Sequence, residues 1–284
     1  MKSKQTFTQL IQQCCSAREW NLRKMLRREL PNHGFRIIED DWVSERGGKY
    51  NSVHNMLAIR GEPNVCLAAH TDVCRDHGWK HVAPDVDPVI KYVENWDGEI
   101  RKIIQDRDCN VQVGGDDRLG VAINVWIAQH TDYDLGLLFF SDEEIGIVSS
   151  STCEFPELGD FDMILQTDRG NRSNQLVTSI GGTQLCSEET GDMLIEISRQ
   201  IGYPRVKVHG LLTDVYGLRK DGKCKEAVNM TVGYHNSIGS DPTEYIDIQE
   251  AEECVTYVQE IVKHYANKKS LLNTMGSELI TQVA

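Results

Sequence analysis

Residues 64–73 read NVCLAAHTDV. An apolar, β-favouring run from Val65 to Ala69 stops abruptly at two groups with chemistry, His70 and Asp72. Continuous apolar character over so short a run marks a strand buried on both faces. The same device recurs along the chain. Leu135 to Phe140 runs into Ser-Asp-Glu-Glu, which carries Glu143 and Glu144, and Met163 to Gln166 runs into Asp168. Val228 to Val232 leads towards Tyr234 and His235, and Asp116 lies in a Gly-Gly-Asp-Asp turn that opens a helical stretch over 118–130.

Working outward, residues 5–30 have the spacing of one amphipathic helix, ended by Pro31 and Gly34. Strands are expected at 35–38 and 54–59, and again at 206–211. A helix opened by Thr190 is expected over 190–201, and a long one over 246–265 with Asp247 as its cap. The tail 267–284 is polar and expected to be loose. The segment 74–108 reads either as a decorated loop or as a pair of edge strands near the site, with Trp79, His81 and Trp96 able to wall a pocket. Strands alternating with helices specify an α/β fold, a three-layer α/β/α arrangement with a mostly parallel central sheet. With no repeat, linker or low-complexity segment, residues 1–284 read as a single domain. In such sheets functional groups collect at the carboxyl ends of the strands, where these histidines and acids fall.

Singly, each motif is weak. A His-x-Asp triplet arises by chance, and Asp-Asp or Ser-Asp-Glu-Glu is ordinarily a solvated turn. Jointly they are not ordinary, because carboxylates gathered at one sheet edge repel one another unless cations neutralise them. Mixed histidine and carboxylate ligands suit zinc, with cobalt or manganese as substitutes.

The set HTD, GGDDRLG, SDEEIG, TDRG and YHN resembles the co-catalytic di-zinc exopeptidases, which include zinc aminopeptidases, peptidase T and glutamate-releasing carboxypeptidases. The resemblance runs from about Val53 to Ile261, with the five motifs in family order. It implies two zinc ions per chain bridged by Asp116. His70 and Asp168 would complete one ion's ligands, and Glu144 and His235 the other's. Asp72 would orient the imidazole of His70, and Glu143 would be the general base that activates water and protonates the leaving amine. Tyr216 and Tyr234 are candidates for substrate contacts or oxyanion stabilisation. The intervals from Asp168 to His235 and from His70 to Asp116 are too short for the inserted lid or extra domain of larger relatives. The resemblance therefore implies a catalytic core without a lid, acting on short peptides and most readily as an aminopeptidase. A carboxypeptidase or N-acyl amino acid deacylase on the same core, or a metal-binding relative without turnover, are the alternatives.

Composition bounds the rest. A formal net charge of −13 over 284 residues disfavours sequence-independent nucleic-acid binding and favours a substrate with a free amino group over one with a carboxylate. No stretch is apolar enough to span a bilayer, and the amino terminus lacks the apolar core of a secretory signal. Nine cysteines, an odd number without a CxxC pair, predict free thiols and a reducing cytoplasm. The oligomeric state stays open between monomer and small oligomer.

Overall fold

The computed structural model describes residues 5–40, 55–74, 85–94, 98–171, 174–239 and 241–283. The chain opens with helices α1 (Phe7–Ser16) and α2 (Glu19–Glu29), followed by strands β1 (Arg36–Glu39), β2 (Met56–Arg60) and β3 (Val65–His70). Then come β4 (Pro88–Glu94), β5 (Ile100–Asp106), α3 (Gly115–His130), β6 (Leu135–Phe140), α4 (Val148–Thr152), β7 (Met163–Arg169) and β8 (Gln175–Ile180). The remaining elements are β9 (Thr183–Gln184), α5 (Glu188–Gln200), β10 (Val206–Gly210), α6 (Asp214–Lys220), β11 (Ala227–Thr231), β12 (Tyr234–His235), β13 (Tyr245–Asp247) and α7 (Ile248–Val283).

The main sheet has the order β1-β2-β6-β3-β7-β11-β8-β10, with β9 on β8. Its centre, β6-β3-β7-β11, is parallel, and antiparallel strands flank it on both sides. Pleating divides each central strand between two cores. Val65, Leu67 and Ala69 of β3, Leu137 and Phe139 of β6, and Met163 and Leu165 of β7 face a layer built from α1, α2, α3, α5 and α7. Their alternates Cys66, Ala68, Leu138, Phe140 and Ile164 face a second layer with Leu158, Phe161 and the α6 residues Val215 and Leu218. This is the three-layer α/β/α fold with a mostly parallel centre that the apolar runs specify. Gly136 is the one position in β6 where a side chain has no room, since a Cβ would stand 2.6 Å from the Phe161 ring.

Register places the chemistry. His70 pairs with Phe140 across β3 and β6, and Ala68 pairs with Gln166 across β3 and β7. The carboxyl ends of three adjacent parallel strands therefore finish level, carrying His70, the Asp-Glu-Glu turn and Asp168 to one edge. A second, antiparallel sheet, β12-β13-β5-β4, lies against the start of α3, where a Cβ on Gly115 would come within 2.6 Å of Tyr234.

Several expectations change. The stretch 5–30 is two helices, because Ala17 is extended (φ −75°, ψ 136°) and its carbonyl accepts from the buried guanidinium of Arg118 at 3.1 Å. A tertiary hydrogen bond overrides local periodicity. Of the two readings of 74–108, the described part is a strand pair, β4 and β5, although in the second sheet. Trp79, His81 and Trp96 lie outside the described residues. Helix α5 is capped by Ser187, to whose side chain the Thr190 amide donates, and it ends before Gly202 (φ +83°). Strand β8 and helix α6 had no recognised signal. Asp247 does cap α7, accepting from the amides of Gln249 and Glu250. The tail expected to be loose continues the α7 backbone to Val283. Among the described residues, no helix is long and apolar enough to cross a membrane.

Glu226, just before β11, ties α5 to the sheet. Its carboxylate accepts from the Ser187 amide at 3.0 Å and from the Thr190 hydroxyl. Partial burial pushes its pKa up, but these hydrogen bonds and the charge of Arg219 bring it below the ordinary value. A depressed carboxyl pKa contributes stability that is present above the unfolded value, about 4.3, and lost as pH falls through the folded one. In thermal melts, Glu226→Gln is expected to be less stable than wild type at pH 7, the difference shrinking as pH falls below the ordinary glutamate range. A difference independent of pH would show that Glu226 acts through packing alone.

Candidate metal centre

His70 is fully buried at the end of β3. Its Nε2 lies 3.1 Å from Asp116 Oδ1 and 3.6 Å from Asp168 Oδ1. On the other side of the ring, Nδ1 is 3.3 Å from Asp72 Oδ1 and 3.1 Å from the Asp72 carbonyl. The same Asp72 carboxylate accepts from the amides of Glu143 and Glu144 at 3.2 and 3.1 Å. One buried carboxylate thus orients the imidazole and pins the turn after β6. This arrangement fixes a ring tautomer with Nε2 turned towards Asp116 and Asp168.

Asp116 and Asp117 divide their work. Asp117 is buried and its oxygens are engaged, Oδ2 by the His70 amide and Oδ1 by the Gly120 amide, each at 3.1 Å. It fastens α3 to β3. Asp116 keeps its carboxylate on His70, while its amide and that of Gly114 donate to the buried Glu244 at 3.2 and 2.5 Å. Gly114, with φ +84°, supplies the left-handed turn into α3 that brings both acids to the sheet edge. Gly120 allows the helix to sit close, because a Cβ there would lie 2.2 Å from the Thr167 carbonyl oxygen.

Asp168 is held from several directions. Its backbone pairs with the Asn229 side chain, its Oδ2 accepts from Gln166 at 2.9 Å and lies 3.1 Å from Thr213 Oγ1, and its Oδ1 accepts from the Tyr234 hydroxyl at 3.1 Å. The Tyr234 ring reaches it over Gly170, where a Cβ would meet ring carbons at 2.0 Å. Glu144 is met by Cys74, whose amide donates to Oε1 at 3.1 Å and whose thiol donates to Oε2 at 2.7 Å.

Electrostatics show what this donor set fits. Burial, with the charge of Asp168 adding to it, pushes Asp116, Asp117, Glu143, Glu144 and Asp214 above the ordinary carboxylate range, and the opposing influence of His70 does not restore them. Asp214 is fully buried at the start of α6, and its Oδ2 accepts from Gln166 at 3.1 Å. Acids crowded this way have to bind protons or share a cation. Two groups of donors have ligand atoms mutually within 4.8 Å: His70, Asp116 and Glu144, and His70, Asp117 and Asp168. Nitrogen and oxygen donors in this mixture fit a zinc-like divalent ion.

Of the residues singled out in the sequence, the structure brings together His70, Asp72, Asp116, Glu143, Glu144, Asp168 and Tyr234. It does not bring His235. Tyr234 and His235 are consecutive in β12, so their side chains leave on opposite faces. Tyr234 takes the face towards Asp168, and His235 instead stacks on Tyr245, ring centroids 4.9 Å apart, with Nε2 3.1 Å from Glu250. Tyr216 is likewise elsewhere, packed against the α6-side core with the Lys220 ammonium 5.9 Å from its ring. Cys74, Asp117, Asp214 and Glu244 were not foreseen. Asp117 was visible in the Asp-Asp pair and Cys74 in the two-residue spacing His70, Asp72, Cys74, but nothing local marks Asp214 or Glu244.

No family model matches the chain, and no curated protein matches it by sequence. Solved structures do match it in fold. Aminopeptidase PepT from Bacillus cereus ATCC 10987 is 12% identical, with a TM-score of 0.69 over 92% of this chain and 98% of that one. Aminopeptidase APDkam598 from the archaeon Desulfurococcus kamchatkensis is 14% identical, with a TM-score of 0.59 over 90% and 94%. Glutaminyl cyclase from Porphyromonas gingivalis is also 14% identical, with a TM-score of 0.58 over 89% and 96%. The fold is one that aminopeptidases use, and at these identities the likeness is of fold alone.

Gly120→Ala tests the close approach that forms the cluster. The added methyl meets backbone, which cannot swing aside. The variant is expected to lose about 1–3 kcal/mol of stability and to bind divalent metal more weakly. Unchanged metal affinity together with an unchanged melting temperature would show that α3 can shift without disturbing the site.

Proposed function

We propose that this chain is a metal-dependent aminopeptidase acting on short peptides, a single catalytic domain without a lid. The observation that carries the reading is His70 with Asp116, Asp168 and Glu144 around it at the level ends of parallel strands, and Glu143 beside them. His70 and Asp168 would hold one zinc-like ion, Glu144 would hold a second, and Asp116 would be shared between them. His235, engaged with Glu250, is left out of the donor set. When bound, the ions supply Lewis acidity towards a peptide carbonyl and lower the pKa of water at the site.

The chain's own residues account for the rest. Asp72 holds His70 in one tautomer and keeps the Glu143–Glu144 turn against β3. Glu143 is the general base. Burial raises its proton affinity, with Asp168 and Asp214 adding to the effect, so it can take a proton from water and return it to the leaving amine. Tyr234, buried and committed to Asp168, is a positioning residue rather than a substrate contact.

The choice of an amino-terminal substrate rests on charge. Asp72, Asp116, Asp117, Glu143, Glu144, Asp168 and Asp214 all bear on the site, and the nearby buried Arg118 donates to the Ala17 carbonyl. Such a field attracts an ammonium and repels a carboxylate, which disfavours the carboxypeptidase and deacylase alternatives.

Glu143→Gln is expected to keep wild-type metal content and to lower peptide hydrolysis by about 10²–10⁴-fold. Wild-type turnover in that variant would remove Glu143 as base. A matched pair of peptides, one with a free and one with an acetylated amino terminus, tests the substrate class. Preference for the acetylated peptide would overturn the aminopeptidase reading while leaving a metallohydrolase.

A further inference from the structure

Gln166 lies two residues before Asp168 on β7, so the two side chains leave the same face of the strand, and Gln166 is fully buried. Its Nε2 donates to Asp168 Oδ2 at 2.9 Å and to Asp214 Oδ2 at 3.1 Å. Its Oε1 accepts from the Val215 amide at 3.0 Å and from the Thr213 hydroxyl at 2.8 Å. Both donors and both acceptor positions of this side-chain amide are therefore in use. Chemistry decides which end is which. The Val215 amide can only donate, so the oxygen of Gln166 faces it and the NH2 group faces the two acids. A flipped amide would set its oxygen against two carboxylates.

We infer that Gln166 is a positioning residue that commits Asp168 Oδ2 and leaves Oδ1 as the one oxygen that Asp168 offers a cation. The inference rests on the metallopeptidase reading and adds to it a basis for metal selectivity. Asp168 Oδ2 has the Gln166 amide at 2.9 Å and the Thr213 hydroxyl oxygen at 3.1 Å. Asp168 Oδ1 has the Tyr234 hydroxyl at 3.1 Å and is the oxygen turned towards His70, 3.6 Å from its Nε2. A carboxylate oxygen accepts along two lone-pair directions, so a direction is left on Oδ1. An aspartate limited to one oxygen suits a four-coordinate ion such as zinc, or cobalt in its place. Manganese collects more oxygen ligands and gains least from such a donor.

A neutral amide is what this position needs. Lysine or arginine would bring its own positive charge to the acids and compete with the cation, while leucine or methionine would leave Oδ2 free to turn towards the metal. The clamp is also anchored independently of the acid it holds. The Val215 amide belongs to the first turn of α6, whose Val215 and Leu218 are buried in the second core. Thr213 Oγ1 accepts from Asn229 Nδ2 at 3.1 Å, and the same Nδ2 donates to the Asp168 carbonyl. Main chain and core thus fix the orientation of Gln166, and Asp168 is set against a donor that does not move with it. The cost of losing such a donor falls on the acid, whose Oδ2 would be left buried without its strongest partner.

The test is calorimetric titration of metal-free, full-length protein with Co²⁺ and, separately, with Mn²⁺, no peptide being present. Wild type is expected to bind its first Co²⁺ more tightly than Mn²⁺. Gln166→Met, matched in length, is expected to bind Co²⁺ about 10–100-fold more weakly while Mn²⁺ affinity changes less, so that the cobalt-to-manganese ratio falls at least about tenfold. Thr213→Val leaves the Gln166 amide on Asp168 and is expected to keep the wild-type ratio. A purely structural role for Gln166 would weaken both ions alike. Equal losses, an unchanged ratio in Gln166→Met, or wild-type protein that binds Mn²⁺ as tightly as Co²⁺ would overturn the inference and leave the metallopeptidase standing. Should Gln166→Met fail to fold, wild type alone decides. The side-chain amide protons of Gln166, followed by ¹⁵N-correlated NMR, are expected to stay slow to exchange when Zn²⁺ is added, and their loss of protection would show that Oδ2 passes to the ion. Wild-type protein that takes up neither Co²⁺ nor Mn²⁺ would overturn both readings.

Discussion

Like-charge repulsion at the carboxyl edge of the central sheet is the constraint around which this molecule is built. Level strand ends and two helix termini deliver Asp72, Asp116, Asp117, Glu143, Glu144, Asp168 and Asp214 to the surroundings of a single buried imidazole. Left alone, such a cluster would hold protons, and the upward shifts of Asp116, Glu143 and Asp214 express that tendency. Folding has to hold these acids together at a cost that a hydrophobic cluster would not incur. The expense makes sense where a cation neutralises the set, and this is the physical link from fold to proposed chemistry.

The means of holding them is a division of labour among acids. Asp72 and Asp117 point their oxygens at backbone amides, those of Glu143 and Glu144 for Asp72 and those of His70 and Gly120 for Asp117, and act as structural fasteners. Glu244 does the same from the loop before β13, gathering the amides of Gly114 and Asp116. Asp168 is fixed by Asn229, Gln166, Thr213 and Tyr234, four neutral partners that orient a carboxylate without neutralising it. The two cores below, sorted by strand pleat, let β3, β6 and β7 end in register. A one-residue slip in any of these strands would turn its terminal acid or histidine into the wrong layer.

Much of this was legible in the sequence, and the pattern of what was not is informative. The strands carrying His70, Glu143, Glu144 and Asp168 were readable because a buried parallel strand is an uninterrupted apolar run, and the acids that follow such runs stand out. Helix α6 and strand β8 were hidden, since Asp214–Lys220 is short and Gln175–Ile180 has no sharp boundary. The break at Ala17 could not be read at all, because its cause is a guanidinium a hundred residues away. His235 lies apart from the cluster for a subtler reason. Sequence proximity put both Tyr234 and His235 near the site, but the pleat allows only one of two neighbours to face it, and glycines at 115 and 170 make room for the larger ring.

That alternation also bears on how function is assigned to a fold of this kind. The same architecture is used by two aminopeptidases and by a glutaminyl cyclase, so fold narrows the chemistry without choosing it. The choice lies in how completely each side of the site is furnished. Here the His70–Asp168 side is over-determined, with every donor fixed by a named partner, while the Glu144 side is partly exposed and held mainly by Cys74. Were two ions to bind at such unequal positions, their affinities would differ. The better-ordered side loses less conformational freedom on binding and would fill first, leaving the lighter side to follow cation supply.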